Sequence, residues 1–267
     1  MTAVLPHAEQ AAQSAGPQHT IQVRDVYKSF GSSHILNGLS LDFQDDAITT
    51  VLGPSGTGKS VLLKHIVGLL EPDAGEVRVF GTDIWGVSEE ERFELRKRFG
   101  VLFQDGALFG SMNLYDNVAF PLRRHTDMPE SDIREIVMSN MIEVGLEKAI
   151  HKAPNEISGG MRKRAGFARA LVLKPDVVLF DEPDSGLDPV RTKLLSHLIQ
   201  KVHAEHGGTY IVITHDIPTA RTVSDYVAVI WKGKVVHYGD ADGAFNSDNP
   251  FVRQFLAGAA EGPLGMD

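Results

Sequence analysis

Alternation between apolar and polar residues predicts the first strands of the chain. Segments 21–26 (IQVRDV) and 39–44 (LSLDFQ) alternate in this way, which is typical of strands with one exposed face. The Asn37-Gly38 pair between them indicates a turn. Segment 47–53 (AITTVLG) is rich in β-branched residues and does not alternate, as expected for a strand that is buried on both faces.

Helical and strand patterns alternate through the rest of the chain. Helices are predicted after Lys59, over 89–100, over 111–152 with interruptions at Pro121 and Pro129, and over 189–205. Strands are predicted at 176–183 (DVVLFDEP) and 209–216 (TYIVITHD), and 226–239 (YVAVIWKGKVVHYG) predicts a hairpin that turns at Lys232-Gly233. These patterns predict an α/β fold with a helical subdomain inserted at about 105–165.

The two ends of the chain differ from this pattern. Residues 1–20 are rich in Ala, Gln, Ser and Pro, which predicts a disordered N-terminal tail ahead of a domain at 21–257. Residues 251–256 (FVRQFL) predict one short amphipathic helix, and 258–267 form a C-terminal extension with Gly and Pro. Such an end frays unless something holds it, so the helix at 251–256 either packs on the domain's own core or contacts a partner.

Composition narrows the class of protein. Of 267 residues, 42% are hydrophobic and 23% are charged, which is typical of a soluble globular protein. The net charge of -9 argues against a nucleic-acid partner. Cysteine is absent, which excludes disulfides, and no apolar run approaches the roughly 20 residues that span a bilayer, so we expect a cytoplasmic protein. The basic triplets at 96–98 and 162–164 are interpreted as solvated surface.

A glycine loop at 53–60 (GPSGTGKS) carries the clearest candidate chemistry. It follows a predicted strand and opens a predicted helix, which is the context of a P-loop. Its glycines let backbone N–H groups surround phosphate oxygens, while Lys59 offers a charge to the β- and γ-phosphates and Ser60 can ligate Mg²⁺. The predicted nucleotide-binding residues are Gly53, Pro54, Ser55, Gly56, Thr57, Gly58, Lys59 and Ser60.

Two adjacent carboxylates, Asp181 and Glu182, follow the apolar run at 177–180 (VVLF). A buried strand of this kind would bring Asp181 beside the P-loop, where it can hold the hydration shell of Mg²⁺. Glu182, one residue further along, is placed to orient and polarise an attacking water. An acidic pair at a strand end is also common in a simple capping turn, but the P-loop favours the catalytic interpretation.

A second candidate phosphate-binding element is Ser158-Gly159-Gly160, which precedes the basic helix-forming run MRKRAGFARAL. The N–H groups at a helix N-terminus favour an anion. A P-loop NTPase with this second element resembles the ATP-binding-cassette (ABC) family, whose other motifs occur in order between about 21 and 257.

That resemblance implies roles for further residues. Phe30 in YKSFG matches the aromatic residue that stacks on adenine, and Gln104 in VLFQDG matches the glutamine that lines the Mg²⁺ and the attacking water. Asp188 in SGLDP matches the D-loop, and His215 in ITHD matches the switch histidine near the γ-phosphate. The implied catalytic residues are Glu182, His215 and Gln104, and the implied metal ligands are Ser60, Gln104 and Asp181.

In the ABC family two cassettes pair head to tail, and each signature motif caps the ATP that the other chain binds. The resemblance therefore implies a homodimer with ATP and Mg²⁺ as cofactors. It also implies a P-loop NTPase core with an N-terminal antiparallel β subdomain and an inserted α-helical subdomain. The residues that would contact ATP in trans are Ser158, Gly159, Gly160, Met161 and Asp188.

Met161 departs from the ABC pattern, which usually has glutamine at this position. The methionine either packs in the dimer seam or marks a subfamily, and the surrounding sequence favours a subfamily. The segments ISGGMRKRAGFARAL, FQDGALFGSMNLYDNVAFPLR and VRQFLAGAAEGP resemble the ATPase subunits of Mla/Mce lipid transporters. EPDSGLDPVRT resembles the actinobacterial Mce type. Because the C-terminal extension of Mla-type relatives reaches the partner subunit, the resemblance of VRQFLAGAAEGP implies that residues after about Pro250 stabilise the dimer or a bound regulator rather than the domain's own core.

This closer resemblance implies an ATPase at the inner face of the cell membrane. It would energise transport of phospholipid, sterol or fatty acid through integral-membrane permease subunits, with extracytoplasmic Mce/Mla lipid-binding proteins as indirect partners. In ABC transporters the region after Gln104 forms the groove that receives the permease. The apolar residues there either dock the permease or form the core of the helical insertion; they are Leu108, Phe109, Met112 and Leu114.

Other functions stay open at this point. The ATPase of an importer for small polar solutes, such as amino acids, would share every catalytic motif. A soluble ABC ATPase that acts on DNA or ribosomes fits less well, because the chain has neither a long coiled coil nor a second cassette. A P-loop kinase would explain neither the element at Ser158 nor His215.

Overall fold

The computed structural model describes residues 19–263. The tail predicted at 1–20 therefore lies almost wholly outside the described residues, as do the last four residues of the extension predicted at 258–267. Within the described part, no helix is both long enough and apolar enough to cross a membrane.

Ten strands form two sheets within residues 19–263. They are β1 (Ile21–Phe30), β2 (Ser33–Phe43), β3 (Ile48–Leu52), β4 (Ala74–Val79), β5 (Thr82–Asp83), β6 (Phe99–Leu102), β7 (Val177–Asp181), β8 (Thr209–Ile213), β9 (Tyr226–Trp231) and β10 (Lys234–Asp240). The N-terminal sheet is antiparallel with the order β2-β1-β4-β5. The second sheet has the order β10-β9-β3-β8-β7-β6, and its strands are parallel except for β10.

Nine α-helices accompany these sheets in the same range. They are α1 (Lys59–Ile66), α2 (Glu89–Arg96), α3 (Leu114–His125), α4 (Glu130–Glu143), α5 (Gly159–Leu171), α6 (Pro189–His206), α7 (Ile217–Val223), α8 (Ala241–Phe245) and α9 (Pro250–Ala257). α3, α4 and one face of α5 share an apolar cluster of their own, which makes them a separate helical layer. Pro121 lies inside α3 rather than interrupting it, whereas Pro129 caps α4.

The six-stranded sheet is buried on both faces because its central strands supply alternate residues to two apolar clusters. On one face, Val51, Leu179 and Ile211 pack with residues of the antiparallel sheet. On the other face, Val178 and Phe180 pack with residues of α5 and α6. Every residue of β3 is buried, as the absence of alternation in 47–53 predicts, and every residue of β8 is buried as well. A sheet covered in this way holds the ends of its strands, and the loops that follow them, in fixed positions.

The turn predicted at Asn37-Gly38 is wrong. The hairpin between β1 and β2 turns at residues 31–32, and the Asn-Gly pair lies inside β2. Val26 pairs with Leu39, and the next pair in the register skips Gly38. Gly38 has φ +72°, so this glycine serves a β-bulge.

The prediction that residues after Pro250 do not pack on the domain's own core is also wrong. The helix predicted at 251–256 forms as α9, and it packs against the domain's own core. Val252 and Leu256 are buried, in a cluster that includes residues of β3 and β9. The ring of Phe251 lies 5.3 Å from that of Trp231 at the end of β9. Without α9 the apolar side chains on this face of β9 would be exposed to solvent. Helix α9 therefore stabilises the domain itself.

Candidate functional site

Four loops that follow parallel strands meet at one edge of the six-stranded sheet. They follow β3, β6, β7 and β8, whose carboxyl ends point in the same direction. The P-loop, Gln104, Glu182 and His215 lie in these loops, in that order. In open α/β sheets, ligands bind at the carboxyl ends of the strands. The fold therefore gathers the predicted site residues where a ligand is expected.

The P-loop requires glycine for conformational and steric reasons. Gly56 and Gly58 have φ of +79° and +98°. A Cβ on Gly58 would lie 2.7 Å from Cδ2 of Leu36, and one on Gly53 would lie 2.3 Å from the carbonyl oxygen of Ile230. The loop is thus packed closely between β2 and β9, where only glycine fits.

Lys59 and Ser60 begin α1 and connect the P-loop to β7. The buried Nζ of Lys59 donates hydrogen bonds to the carbonyl oxygens of Gly53, at 2.7 Å, and Pro54, at 2.9 Å. Oγ of Ser60 donates to Oδ1 of Asp181 at 3.0 Å. A cation, a hydroxyl and a carboxylate therefore lie side by side at this edge of the sheet.

Burial shifts the protonation equilibria of this group. It lowers the pKa of Lys59, while the negative charges of Glu182 and Asp181 oppose that shift. Burial raises the pKa of Asp181; the hydrogen bond from Ser60 opposes this change, and the charge of Glu182 adds to it. Two carboxylates that share a partly desolvated site are stabilised by an additional positive charge, such as a divalent cation.

Glu182 follows β7 in a conformation that residues other than glycine rarely adopt, with φ +48°. Its N–H donates to the carbonyl oxygen of Ile213 at 2.8 Å. Its Oε1 lies 3.3 Å from Nδ1 of His215, in the loop after β8. Strained backbone of this kind is frequent at functional sites.

Phe30 and Gln104 lie at the margins of the site. Phe30 ends β1 and is half-exposed, and Nζ of Lys28 lies 5.8 Å from the centre of its ring. Gln104 is exposed in the turn after β6. Both side chains are open to solvent and accessible to a ligand.

The second predicted phosphate-binding element begins α5. Ser158 is the N-cap of this helix, and its Oγ accepts a hydrogen bond from the N–H of Met161 at 3.3 Å. Gly159 and Gly160 are the first helical residues, and a Cβ on either would lie 3.5 Å or more from its nearest atoms in this chain. The chain itself therefore has room for a side chain at both positions, although glycine disfavours a helix.

An exposed surface adjoins this element at the start of α6. Val190 and Leu194 are 71% and 63% exposed. A cavity of about 400 Å³ lies between Leu194, Gly160 and Met161. Asp188 caps α6 by accepting a hydrogen bond from the N–H of Arg191. These residues, which we call the α5–α6 surface, include exposed apolar side chains of the kind that can contact another molecule.

A buried charge in α5 was missed by the sequence interpretation. Lys163 belongs to a basic triplet interpreted as solvated surface, yet it is only 4% exposed, so that interpretation is wrong. Its Nζ donates hydrogen bonds to the carbonyl oxygens of Glu182 and Ser185. Lys163 precedes the buried residues Gly166 and Phe167 by three and four positions. This helical spacing was the available signal that Lys163 faces inward.

The P-loop at the end of a buried parallel strand, with its lysine and serine beside the Asp181 carboxylate, defines a P-loop NTPase. A model of the ABC transporter family matches residues 36–185, more than half of the chain. The chain belongs to the ABC transporter family, as the order of its motifs predicts. It is the ATP-binding, ATP-hydrolysing subunit of a transporter.

Curated relatives are similar over nearly the whole chain. The probable ribonucleotide transport ATP-binding protein mkl of Mycobacterium tuberculosis H37Rv is 54% identical over 92% of this chain and 69% of its own length. The intermembrane phospholipid transport system ATP-binding protein MlaF is 41% identical in both Escherichia coli K12 and Haemophilus influenzae. The alignment with the E. coli protein covers 91% of this chain and 91% of that protein. The alignment with the H. influenzae protein covers 92% of this chain and 94% of that protein. The predicted resemblance to Mla-type ATPases is confirmed.

Solved structures share the fold. The cbiO1 protein of Clostridium perfringens, part of the ABC transporter complex cbiONQ, has a TM-score of 0.79 and 29% identity, over 89% of this chain and 95% of that chain. The ATP-binding cassette MJ0796, solved as a dimer with ADP and Pi, has a TM-score of 0.75 and 27% identity, over 82% of this chain and 98% of that chain. The predicted P-loop NTPase core with an antiparallel β subdomain and inserted helices is confirmed. ABC ATPases related to this chain work as dimers with membrane permeases.

Proposed function

We propose that this chain forms a homodimeric ATPase at the inner face of the cell membrane and energises Mla/Mce-type lipid transport through a permease. Extracytoplasmic lipid-binding proteins would be its indirect partners, and phospholipid, sterol or fatty acid its cargo. The observation that carries the lipid assignment is the similarity to MlaF proteins over nine-tenths or more of their length.

In this proposal the P-loop holds the phosphates of ATP. Lys59 turns from its carbonyl acceptors to the β- and γ-phosphates, and Phe30 stacks on the adenine. Ser60, Asp181 and Gln104 offer the oxygen ligands that Mg²⁺ prefers, and Mg²⁺ held there neutralises phosphate charge. The hydroxyl of Ser60 and the carboxylate of Asp181 already lie 3.0 Å apart, which suits a shared cation.

Glu182 and His215 act on the attacking water in this proposal. The Glu182 carboxylate accepts a hydrogen bond from the water and polarises it, and Gln104 helps to hold it. His215 orients the carboxylate and faces the γ-phosphate. Support comes from the 3.3 Å contact between Glu182 and His215, made by loops that follow two neighbouring strands.

A second chain completes each site in this proposal. Ser158 and the N–H groups of Gly159 and Gly160 bind the γ-phosphate of the ATP that the partner holds. Glycine at both positions, where this chain has room for a side chain, fits the close approach of another molecule. Met161 and Asp188 lie on the same α5–α6 surface and would pack in the seam.

A second candidate function is import of a small polar solute. The mycobacterial relatives favour it, because their names describe ribonucleotide transport and their identity to this chain is 54%. The same catalytic site serves either function, since the cargo contacts the permease rather than the ATPase. A test of cargo must therefore include the permease.

Reconstitution with the permease and the lipid-binding protein separates the two candidates. We expect ATP-driven movement of a fluorescent phospholipid, sterol or fatty acid in proteoliposomes, and none with a Glu182→Gln ATPase. Parallel vesicles are supplied with radiolabelled ribonucleotide. Uptake of ribonucleotide without lipid movement would overturn the lipid assignment and establish the second candidate.

We also propose a position for the permease contact. A cavity of about 330 Å³ between the helical layer and the core is lined by residues that include Phe93, Pro121 and Arg169. Beside it, Phe109 is 42% exposed and its ring lies 4.8 Å from that of Phe120. Exposed aromatic rings with basic residues around them suit an amphipathic helix of the permease. We call this area the docking cleft.

A further inference from the structure

Lys163 places a positive charge inside the molecule, at a position outside the P-loop and one turn into α5. Only 4% of this residue is exposed. Moving a charge from water into a protein interior raises the free energy unless hydrogen bonds and opposite charges compensate. The groups that compensate therefore indicate what the lysine does.

The acceptors of Lys163 all belong to the loop after β7. Its Nζ lies 2.5 Å from the carbonyl oxygen of Ser185, 3.1 Å from Oγ of Ser185 and 3.2 Å from the carbonyl oxygen of Glu182. An ammonium has three N–H donors, so this one loop can occupy all of them. Burial lowers the pKa of Lys163, and the carboxylates of Asp184, Asp105 and Glu182 oppose that shift.

The same loop holds Glu182 in a strained conformation. With φ +48°, its backbone lies in a region that a glutamate rarely adopts. Its N–H donates a hydrogen bond to Ile213, and its carbonyl oxygen accepts from the ammonium of Lys163 and from the N–H of Ser185. Strained conformations persist only where the surroundings fix them. Loss of one anchor would let the backbone relax and turn the carboxylate away from its present direction.

A second buried charge joins this loop to the loop that contains His215. Asp184 is 8% exposed and accepts a hydrogen bond from Oγ1 of Thr214 at 2.6 Å. Oγ1 of Thr214 in turn accepts from the N–H of Asp216 at 2.9 Å. Continuous contacts therefore link α5, residues 182–185 and the loop after β8.

We propose that Lys163 is a positioning residue for the Glu182 carboxylate of its own chain. Its ammonium fixes the backbone of residues 182–185 and thereby the direction in which Glu182 leaves the sheet. The N-terminus of the same helix, at Ser158, is assigned above to the partner's ATP, so α5 would link the two sites of a dimer. This inference rests on the catalytic role proposed for Glu182.

Steady-state kinetics separate this role from a structural one. Lys163→Met keeps the length of the side chain and removes its donors, so we expect kcat to fall about 10- to 100-fold. ATP binding and KM should stay within about twofold of wild type. Lys163→Gln keeps a hydrogen-bond donor, the side-chain amide, on a shorter side chain, so we expect an intermediate kcat. If the Lys163→Met protein does not fold, the Lys163→Gln protein is measured in its place. Lys201→Met, the same charge change at an exposed position of α6, should match wild type.

A double-mutant cycle identifies the group through which Lys163 acts. A Glu182→Gln chain already lacks the carboxylate, so adding Lys163→Met should slow single-turnover hydrolysis by less than about twofold. A fully additive loss, or wild-type kcat in both Lys163 variants, would overturn the positioning role. Wild-type turnover of Glu182→Gln alone would instead overturn the role of Glu182.

Mixed dimers show which of the two sites Lys163 serves. A Lys163→Met chain paired with a Ser158→Arg chain has one site in which the P-loop, Lys163 and Glu182 of one chain meet Ser158 of the other. Activity should therefore recover in this mixture. Paired with Lys59→Ala, the Lys163→Met chain forms no such site, and activity should stay low. The reverse pattern would show that Lys163 acts through Ser158 on the partner's ATP, and the proposal would be wrong.

Discussion

Lys59 and Glu182 lie at the same edge of the sheet, but their different surroundings predict different effects of substitution. Lys59 is a buried cation whose hydrogen bonds go to carbonyl oxygens of its own loop. A phosphate oxygen is a stronger acceptor for such a cation, because it carries a negative charge. The Glu182 carboxylate contacts His215 instead. Substitutions should therefore affect nucleotide binding at Lys59 and hydrolysis at Glu182.

Glu182→Gln should keep ATP binding and slow hydrolysis by about 100-fold or more, because an amide is a much weaker base than a carboxylate. Lys59→Ala should instead weaken nucleotide binding, because it removes the charge that we propose to face the phosphates. Titration with a fluorescent nucleotide and a phosphate-release assay measure the two steps. Near-wild-type turnover of the Glu182→Gln protein would remove this glutamate from the catalytic step.

Local motifs could be predicted from the sequence at this scale, and tertiary constraints could not. The P-loop and the pair Asp181-Glu182 are short runs whose spacing carries their chemistry. Helical spacing indicates that Lys163 faces inward, but it does not identify the hydrogen-bond acceptors, which belong to a loop about twenty residues further along the chain. The left-handed φ of Glu182 depends in the same way on its anchors, which no local pattern encodes.

Among the helices, α9 shows how packing decides the fate of an amphipathic segment. The apolar stripe of FVRQFL predicts a helix, and a helix forms. The stripe does not specify which surface covers it. That surface is the side of β9 and β3, which the domain would otherwise leave exposed. The prediction that the segment does not pack on the core was wrong because the strand pattern of β9 does not show which of its faces needs a helix to bury it.

Removal of residues 250–267 should lower the melting temperature of the isolated protein by about 5 °C or more, because Val252 and Leu256 lose their burial. Differential scanning calorimetry measures the shift. A chain that ends at Ala259 keeps α9 and is the matched control, with an expected melting temperature near that of the full chain. Unchanged melting of the shorter chain, together with lost dimerisation, would restore the earlier prediction of a partner-binding tail.

The apolar residues that follow Gln104 differ in solvent exposure, and this difference separates core residues from residues that could contact the permease. Leu114 is fully buried in the cluster of the helical layer, so it belongs to the core of the insertion. Phe109 is 42% exposed, so its ring is available to a partner. The sequence left open whether these residues dock the permease or form the core of the helical insertion. Their burial assigns Leu114 to the core and leaves Phe109 available for docking.

Phe109→Asp should abolish co-purification with the permease while the melting temperature and the basal ATPase activity stay close to wild type. A charge on an exposed apolar contact opposes docking without disturbing buried side chains. Ile142→Asp, an exposed apolar position on α4, is the matched control and should still co-purify with the permease. Retained binding by Phe109→Asp, or unfolding of that variant, would contradict the docking role.

As a whole molecule, the chain presents one P-loop and one Ser158 element. The class of fold was predictable because the apolar pattern within each strand indicates which of its faces are buried, and because the motifs follow one another in a fixed order. The exposed apolar surface of Val190 and Leu194 was not, because it forms only once α6 is packed. That surface lies beside Gly159 and Gly160, where this chain has room for side chains. Both features suit a second copy of the chain.

Complementation between two defective variants tests whether each site is shared between chains. Lys59→Ala damages the P-loop, and Ser158→Arg blocks the element at the start of α5. In a heterodimer purified through two different tags, the P-loop of the Ser158→Arg chain meets the intact Ser158 of its partner. ATP hydrolysis should then recover well above either homodimer, because one complete site is restored. Hydrolysis no faster than in the homodimers, with heterodimers verified by both tags, would contradict the proposal that Ser158 acts on the partner's ATP.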